Sequence, residues 1–330
     1  MNAIIPVAGR GTRLRPHTHS QPKVLMNVAG KPILAYILDD LWALGVEEIT
    51  FVVGHLAEQV EEFVRERYGF KAHFVYQEEA LGNGHAIYLA REHLTGPTLI
   101  VFGDTIVEAN LRAAADLPYS AIGVHRVDDP RAFGVVDVDP DGFVRHLWEK
   151  PEAPPEGLSR IPDLAVVGVY MIREPRPFRN ALEEMVAGRQ ISRGEYWLAD
   201  ALQIFVDRGA RLGTFPVRHW HDCGTPEALL RANHALLEYA SGPRVIGGTA
   251  VIPPSSIAAS AVVEGCVIGP YVTIAEGAYV VNSVLRESIV NAHARVERVV
   301  LEHSIIGEHA TVKGRQVRIN IGDSSEIELT

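Results

Sequence analysis

An open, mainly parallel α/β sheet followed by a parallel β-helix is the fold that three patterns predict. Short β-rich runs alternate with helical stripes over the first part of the chain. A glycine-rich turn, Ala8-Gly9-Arg10-Gly11, closes the first apolar run. Beyond residue 244, aliphatic residues recur at six-residue steps.

The elements follow in order. Ala3-Ile4-Ile5-Pro6-Val7 reads as the first strand. Ile33, Leu34, Ile37, Leu38, Leu41 and Leu44 make the stripe of a helix, with Pro32 suited to its first turn and Gly45 to its end. "EITFVVG" is a strand, Leu56, Val60, Phe63 and Val64 mark a helix, "AHFVYQ" is a strand, "GHAIYLAREHL" a helix and "TLIVFGD" a strand. This alternation covers both faces of the sheet with helices and places a ligand at the strand carboxyl ends. From about residue 120 strand pairs take over. "GVVDVDPDGFVRHLWEKP" reads as two strands joined at Pro140-Asp141-Gly142, where proline sets φ and glycine supplies a positive one. "LAVVGVYMI" is a buried strand, helices are expected near 175–187 and 196–208 and over "TPEALLRANHALLEYA", and "SGPR" at 241–244 is the expected linker.

After the linker, four triplets recur: Val251, Ile257, Val263; Ile268, Ile274, Val280; Val284, Val290, Val296; and Val300, Ile306, Val312. Their first members step by 17 (268 minus 251), then 16 and 16. One inward aliphatic on each of three short strands per coil is what a parallel β-helix requires.

With 330 residues, 47% hydrophobic and 22% charged, the chain can bury a large core, and its length predicts two domains. A formal charge of -10 argues against a nucleic-acid partner. No apolar stretch reaches membrane-spanning length, so no membrane partner is expected. Two cysteines, Cys223 and Cys266, cannot build a disulfide framework, and no basic region precedes the first apolar run. A cytoplasmic location is the expectation.

The first turn carries the chemistry. Glycines after a strand let backbone N–H groups approach an anion, and Arg13 and Lys23 add positive charge, a combination suited to a polyphosphate. The spacing is neither that of a Walker A loop nor G-x-G-x-x-G, because Leu14 stands at the third glycine position.

The stretch "VAGRGTRLRP…QPK" resembles the signature of the sugar-phosphate nucleotidylyltransferases, and "GKPILAY", "VFGDT", "FGVVDVD", "WEKP", "DLAVVGVYMI", "RGEYWLADALQ" and "HWHDCGTPEALLRAN" continue the likeness in order. "INIGDSSEIEL" resembles the tail of the long thymidylyltransferase form, which adds a left-handed β-helix. The resemblance implies a Rossmann-like open mixed sheet over 1–240 as the catalytic domain, and a left-handed β-helix over 241–330 for oligomerisation or regulation. It further implies that a sugar 1-phosphate, by default glucose 1-phosphate, attacks the α-phosphorus of dTTP or UTP and releases pyrophosphate. A phosphate monoester is already anionic near neutrality, with a second pKa of about 6, so positioning and charge neutralisation matter more than a strong base.

By the same resemblance Arg13 and Lys23 hold the triphosphate, Asp104 and Asp222 ligate Mg2+, and Lys150 binds the phosphate of the sugar. The turn residues Ala8, Gly9, Gly11 and Thr12 lie beside the nucleotide, Gln77 and Gly82 face the base, and Gly134, Glu149 and Tyr170 face the sugar. Ala8, Thr105 and the pair Asn83-Gly84 depart from the common family residues; Thr105 bears on the sugar contacts, and the Asn83-Gly84 pair leaves dTTP and UTP both open. Two other readings stand beside this one. A regulatory or scaffold subunit would be marked by loss of Lys23, Asp104 or Asp222, and all three are present. A bifunctional enzyme would use His293, His303 or His309 of the coils for acyl transfer. A zinc site at His219, His221 and Asp222 would need a break in the strand, since alternation turns Asp222 away from the two histidines.

Overall fold

The computed structural model describes residues 1–189, 191, 194–238, 244–246 and 248–314. Residues 241–243 of the expected linker and the tail "INIGDSSEIEL" lie outside the described residues. Two compact units are present, Met1–Met26 with Lys31–Ala232, and Asn27–Gly30 with Asn233–Thr330.

In the first unit, β1 (Asn2–Pro6), β2 (Glu48–Val53), β3 (Lys71–Tyr76) and β4 (Thr98–Val101) form a parallel ladder in the order β3-β2-β1-β4. The chain steps outward from β1 and returns to its other side, so the strand order reverses between β1 and β4. A crevice for ligands is expected outside the carboxyl ends of strands at such a point. Alternation along β1 sends Ala3 and Ile5 into one core and Ile4 into the other. The first core is completed by α1 (Ile33–Leu44) and α2 (Ala57–Arg67), the second by α3 (Asn83–Leu89).

The second half makes the sheet mixed. β5 (Thr105–Glu108) leaves it, and β6 (Ser120–Arg126) follows α4 (Leu111–Asp116). The hairpin of β7 (Gly134–Val138) and β8 (Val144–Glu149) turns at Gly142, whose φ is 84°. The long β9 (Leu164–Ile172) runs antiparallel to β4, β6 and β7. After α5 (Pro175–Ala187) and α6 (Leu198–Asp207), β10 (Leu212–Pro216) joins β6, and β11 (His219–Asp222) pairs with β5 before α7 (Pro226–Leu237).

Two expected helices begin or end elsewhere. The helix through "GHAIYLAREHL" stops at Leu89 and continues as a 3-10 turn over Arg91–His93. The Arg91 guanidinium lies over the Tyr88 ring and donates to the Tyr88 carbonyl at 3.0 Å, taking an acceptor that a continuing helix would use. The helix expected from 196 starts at Leu198, because Trp197 is extended and the Leu198 N–H is capped at 2.8 Å by the Asn83 side chain.

The second unit is a left-handed parallel β-helix with three ladders of short strands. Ile257, Ile274, Val290 and Ile306 stack in register, as do Val263, Val280, Val296 and Val312. The remaining ladder corrects the sequence reading: Val251 and Ile268 stack with Leu285 and Leu301, not with Val284 and Val300. Leu285 is fully buried, whereas Val284 is 40% and Val300 78% exposed. Both sites are Val-Leu doublets, and strand alternation admits only one member inward. From Leu285 to Val290 and from Leu301 to Ile306 the inward step is five residues rather than six, a shortening that strict sixfold counting misses. No helix among the described residues is long and apolar enough to cross a membrane.

Candidate active site

The crevice between β1 and β4 is built by glycines. Gly11 takes a left-handed φ of 59°, and a Cβ there would stand 2.9 Å from Thr18 Cγ2 and 3.2 Å from Lys23 Cβ. The Thr18 hydroxyl donates to the Gly11 carbonyl at 2.8 Å, which fastens the turn against the segment carrying Lys23. Gly103, just past β4, leaves room for Val7, since a Cβ on it would lie 2.4 Å from Val7 Cγ1. The ends of β1 and β4 thereby meet side by side.

Lys23 is buried, and its ammonium meets the Asp104 carboxylate at 2.7 Å. Burial works against the charged carboxylate, but the Lys23 charge and hydrogen bond, with the Thr105 hydroxyl, outweigh it and hold Asp104 below the usual carboxylate range. Asp222 arrives from the far end of the sequence because β11 pairs with β5 and sets Asp222 opposite Thr105. The next residue, Cys223, donates its N–H to the Asp104 carbonyl at 3.3 Å. Neither aspartate caps a helix: Asp104 leads into a strand and Asp222 ends one. Trp220 and Asp222 line the same cavity, as alternate residues of a strand should. That alternation turns His219 and His221 to the other face, so no three-ligand zinc site forms there, and among the described residues the three do not group.

Two cavities flank Asp104. The first, about 300 Å3, is lined by Ala8, Gly9, Lys23, Gln77, Gly82 and Asp104 among others. The second, about 260 Å3, is lined by Arg13, Gly134, Glu149, Lys150, Tyr170 and Asp222, again with Asp104. Asn83, Phe102 and Asp104 belong to both walls. Of the residues expected at the site, Gly11 and Thr12 line neither cavity and shape the turn. Arg13 lies in the cavity of Glu149 and Lys150, not in that of Gly9 and Lys23. A Cβ on Gly224 would touch Arg13 Nη2 at 2.8 Å and Asp222 Oδ1 at 2.9 Å, so this glycine lets both side chains converge.

In the first cavity the Gln77 amide nitrogen donates to the Gly82 carbonyl at 3.1 Å and lies 3.1 Å from His85 Nδ1. Burial lowers the His85 pKa and favours the neutral ring that can accept this bond. Both amide protons are thus engaged inward, and the amide oxygen is the group left for a ligand donor. Gly82, at φ 103°, and Gly84 pack onto the backbone of Tyr196 and Trp197, where an added Cβ would come within 2.5 and 2.7 Å. This contact explains the Asn83-Gly84 pair: Gly84 permits the approach, and Asn83 caps α6.

In the second cavity Gly134 and Glu149 are cross-strand partners, and a Cβ on Gly134 would stand 3.0 Å from Glu149 Oε2. Lys150 follows with a left-handed φ of 47°, costly for a side-chain-bearing residue. Its N–H is tied to the Phe133 carbonyl at 3.1 Å and its ammonium lies over Trp197 and 3.5 Å from Glu149. Tyr170 is buried, and burial, reinforced by the Glu149 charge, raises its pKa and keeps the hydroxyl protonated. The aromatic walls Phe102, Trp197 and Trp220, with Asn83, escaped the sequence reading. They carry no charge pattern, and only the packing shows where they face.

A divided crevice at the strand-order reversal, with Asp104 and its partner Lys23 at the partition and Arg13 and Asp222 on one wall, defines an anion-handling site on a nucleotide-binding type of sheet. The nucleotidyl transferase family model matches residues 2–239, and the chain belongs to that family. It is 31% identical to a glucose-1-phosphate thymidylyltransferase of Streptomyces griseus over the whole of both chains. It is 34% identical to the bifunctional protein GlmU of Methanococcus vannielii over 72% of this chain and 55% of that one. Among solved structures, a UDP-glucose pyrophosphorylase complexed with UDP-glucose superposes with a TM-score of 0.62 over 72% of this chain and 98% of that one. At 21% identity that likeness carries the fold alone.

Proposed function

We propose that the chain transfers a nucleotidyl group from dTTP or UTP to a sugar 1-phosphate, glucose 1-phosphate first among candidates, giving a nucleotide sugar and pyrophosphate. The observation that carries this reading is Asp104, paired with Lys23 on one side and set beside Asp222 on the other, at the partition of two cavities. The full-length relative named for that reaction supports it.

The chain's own groups suffice for positioning. The first cavity takes the nucleoside triphosphate, with the Gly9 turn and Lys23 toward the phosphates and the Gln77 amide oxygen toward an imide N–H, which thymine and uracil both present. The second takes the sugar, with Glu149 accepting from hydroxyls, Lys150 on the phosphate and Arg13 at the junction. The nucleophile needs no proton removed, and bringing two phosphates together is opposed mainly by their repulsion. Asp104 and Asp222 fit a hard divalent cation such as Mg2+: two carboxylate donors on one wall, with Asp222 in no salt bridge among the described residues. Such an ion, when bound, offsets phosphate charge. The coils are read as a self-association surface, supported by the outward ladder of Val267, Val284 and Val300; a monomeric mass by light scattering overturns that part.

The test is pyrophosphate release with Mg2+ across a matrix of triphosphates and sugar 1-phosphates. Turnover confined to pyrimidine triphosphates with a hexose 1-phosphate is expected. Turnover with no pair at all favours the scaffold reading and removes this one.

A further inference from the structure

The opposite end of the same sheet holds a second group of ligating side chains. Glu48 opens β2 and is paired in register with Lys71, the first residue of β3. His73, two residues on, points to the same face as Lys71. His93 closes the 3-10 turn after α3. The His73 Nε2 lies 2.9 Å from Glu48 Oε1, and the rings of His73 and His93 have centroids 4.8 Å apart, tilted by 46°. One ligand atom from each of Glu48, His73 and His93 can be chosen so that all lie within 4.8 Å of one another. None of the three lines either cavity of the candidate active site.

The three are held by separate, anchored pieces of chain. Glu48 and His73 stand on hydrogen-bonded strands. The loop of His93 is tied to β1 by the Asn2 amide, which donates to the His93 carbonyl at 3.0 Å and to the Thr95 hydroxyl at 3.2 Å. In a tetrahedral zinc site with bonds of about 2.0–2.2 Å, ligand atoms lie roughly 3.3 Å apart. The Glu48–His73 pair is already that close, and the widest gap closes by roughly 1.5 Å, within reach of side-chain torsions.

We infer that Glu48, His73 and His93 form a second metal site, one that takes Zn2+ with two imidazoles, one carboxylate and an open position for water. Two nitrogen donors select against Mg2+ and Ca2+, which take oxygen, and suit zinc among available divalent ions. The site joins β2, β3 and the loop before β4 at their amino ends, so zinc bound there stabilises the sheet without entering the reaction. Lys71, 3.4 Å from Glu48 Oε2, competes with the metal for the carboxylate.

The full chain, stripped of metal and held in excess Mg2+ to fill oxygen sites, is titrated with Zn2+ by calorimetry and melted with and without it. One equivalent of zinc and a rise of several degrees in the unfolding midpoint are expected for the parent. His73→Gln, His93→Gln and Glu48→Gln should each lose both effects, while Asp222→Asn keeps them and Lys71→Ala binds zinc more tightly. Substituted Co2+ should show the visible absorption of a four-coordinate nitrogen-oxygen site in the parent and not in the histidine variants. Pyrophosphate release by His93→Gln should match the parent. No zinc uptake by the folded parent, or uptake undiminished in all three ligand variants, overturns the assignment; neither result bears on the catalytic reading.

Discussion

The Lys23 ammonium and the Asp104 carboxylate meet at 2.7 Å across 81 residues of sequence, with Lys23 9% and Asp104 41% exposed. One partner is nearly sealed in protein and the other opens on both cavities. Their substitutions should therefore differ from that of Asp222, although all three belong to the proposed machinery.

Asp222→Asn should abolish pyrophosphate release and leave the melting temperature within a degree or two, because no salt bridge of Asp222 is lost. Asp104→Asn should abolish turnover and also cost about 1–3 kcal/mol, since it strands a buried ammonium beside a neutral amide. Denaturant midpoints alongside activity check the split. Retained activity in both variants would remove the carboxylates from the mechanism.

Gly134→Ala should separate the substrates. Its new methyl meets Glu149 Oε2 at 3.0 Å and pushes the carboxylate aside. The KM for sugar 1-phosphate should rise at least severalfold with that for the triphosphate unchanged, and Glu149→Gln should do the same. Equal rises for both substrates would count against the division of the crevice.

Gly82→Ala should destabilise the first unit by about 1–3 kcal/mol, because φ 103° is costly for alanine and the methyl would come 2.5 Å from the Tyr196 carbonyl. A chemical unfolding series measures it, and a change under half a kcal/mol would mean that this contact yields freely.

Leu285→Ala should cost about 2–5 kcal/mol as a core truncation, whereas Val284→Ala should stay within about 0.5 kcal/mol for the isolated chain. The reverse order of midpoints would restore the sixfold register.

Cys266 is buried among the coils, and burial raises its thiol pKa against several hydrogen bonds that lower it. A raised folded value means that its contribution is fully present below the unfolded value near 9.0 and declines as pH rises through the folded one. Native protein at pH 8 should react negligibly with a thiol reagent, and Cys266→Ser should flatten the alkaline loss of stability. Rapid native labelling at Cys266 would show that the coil opens.

Much of this was legible in the residues. The alternating runs predict the sheet, and the turn at Gly9 and Gly11 with Arg13 and Lys23 marks the anion end, because those signals are local. Asp222 was harder: only the pairing of β11 with β5 brings it beside Asp104, and register between distant strands has no local mark. The Val284-Leu285 and Val300-Leu301 doublets show the same limit, since an apolar pair does not say which member faces in. The aromatic walls Trp197 and Trp220 and the contact between Gly84 and Trp197 depend on tertiary approach, and the family motifs pointed near them without explaining them.

Asn83 and Asp104 belong to both cavities at once, and Asn83 also fixes the start of α6, whose first residues line the second of them. Whichever molecule docks first sets the partition that the second one meets, so the two affinities are linked and the linkage is reciprocal. Equilibrium binding should then show each reactant changing the dissociation constant of the other by one and the same factor.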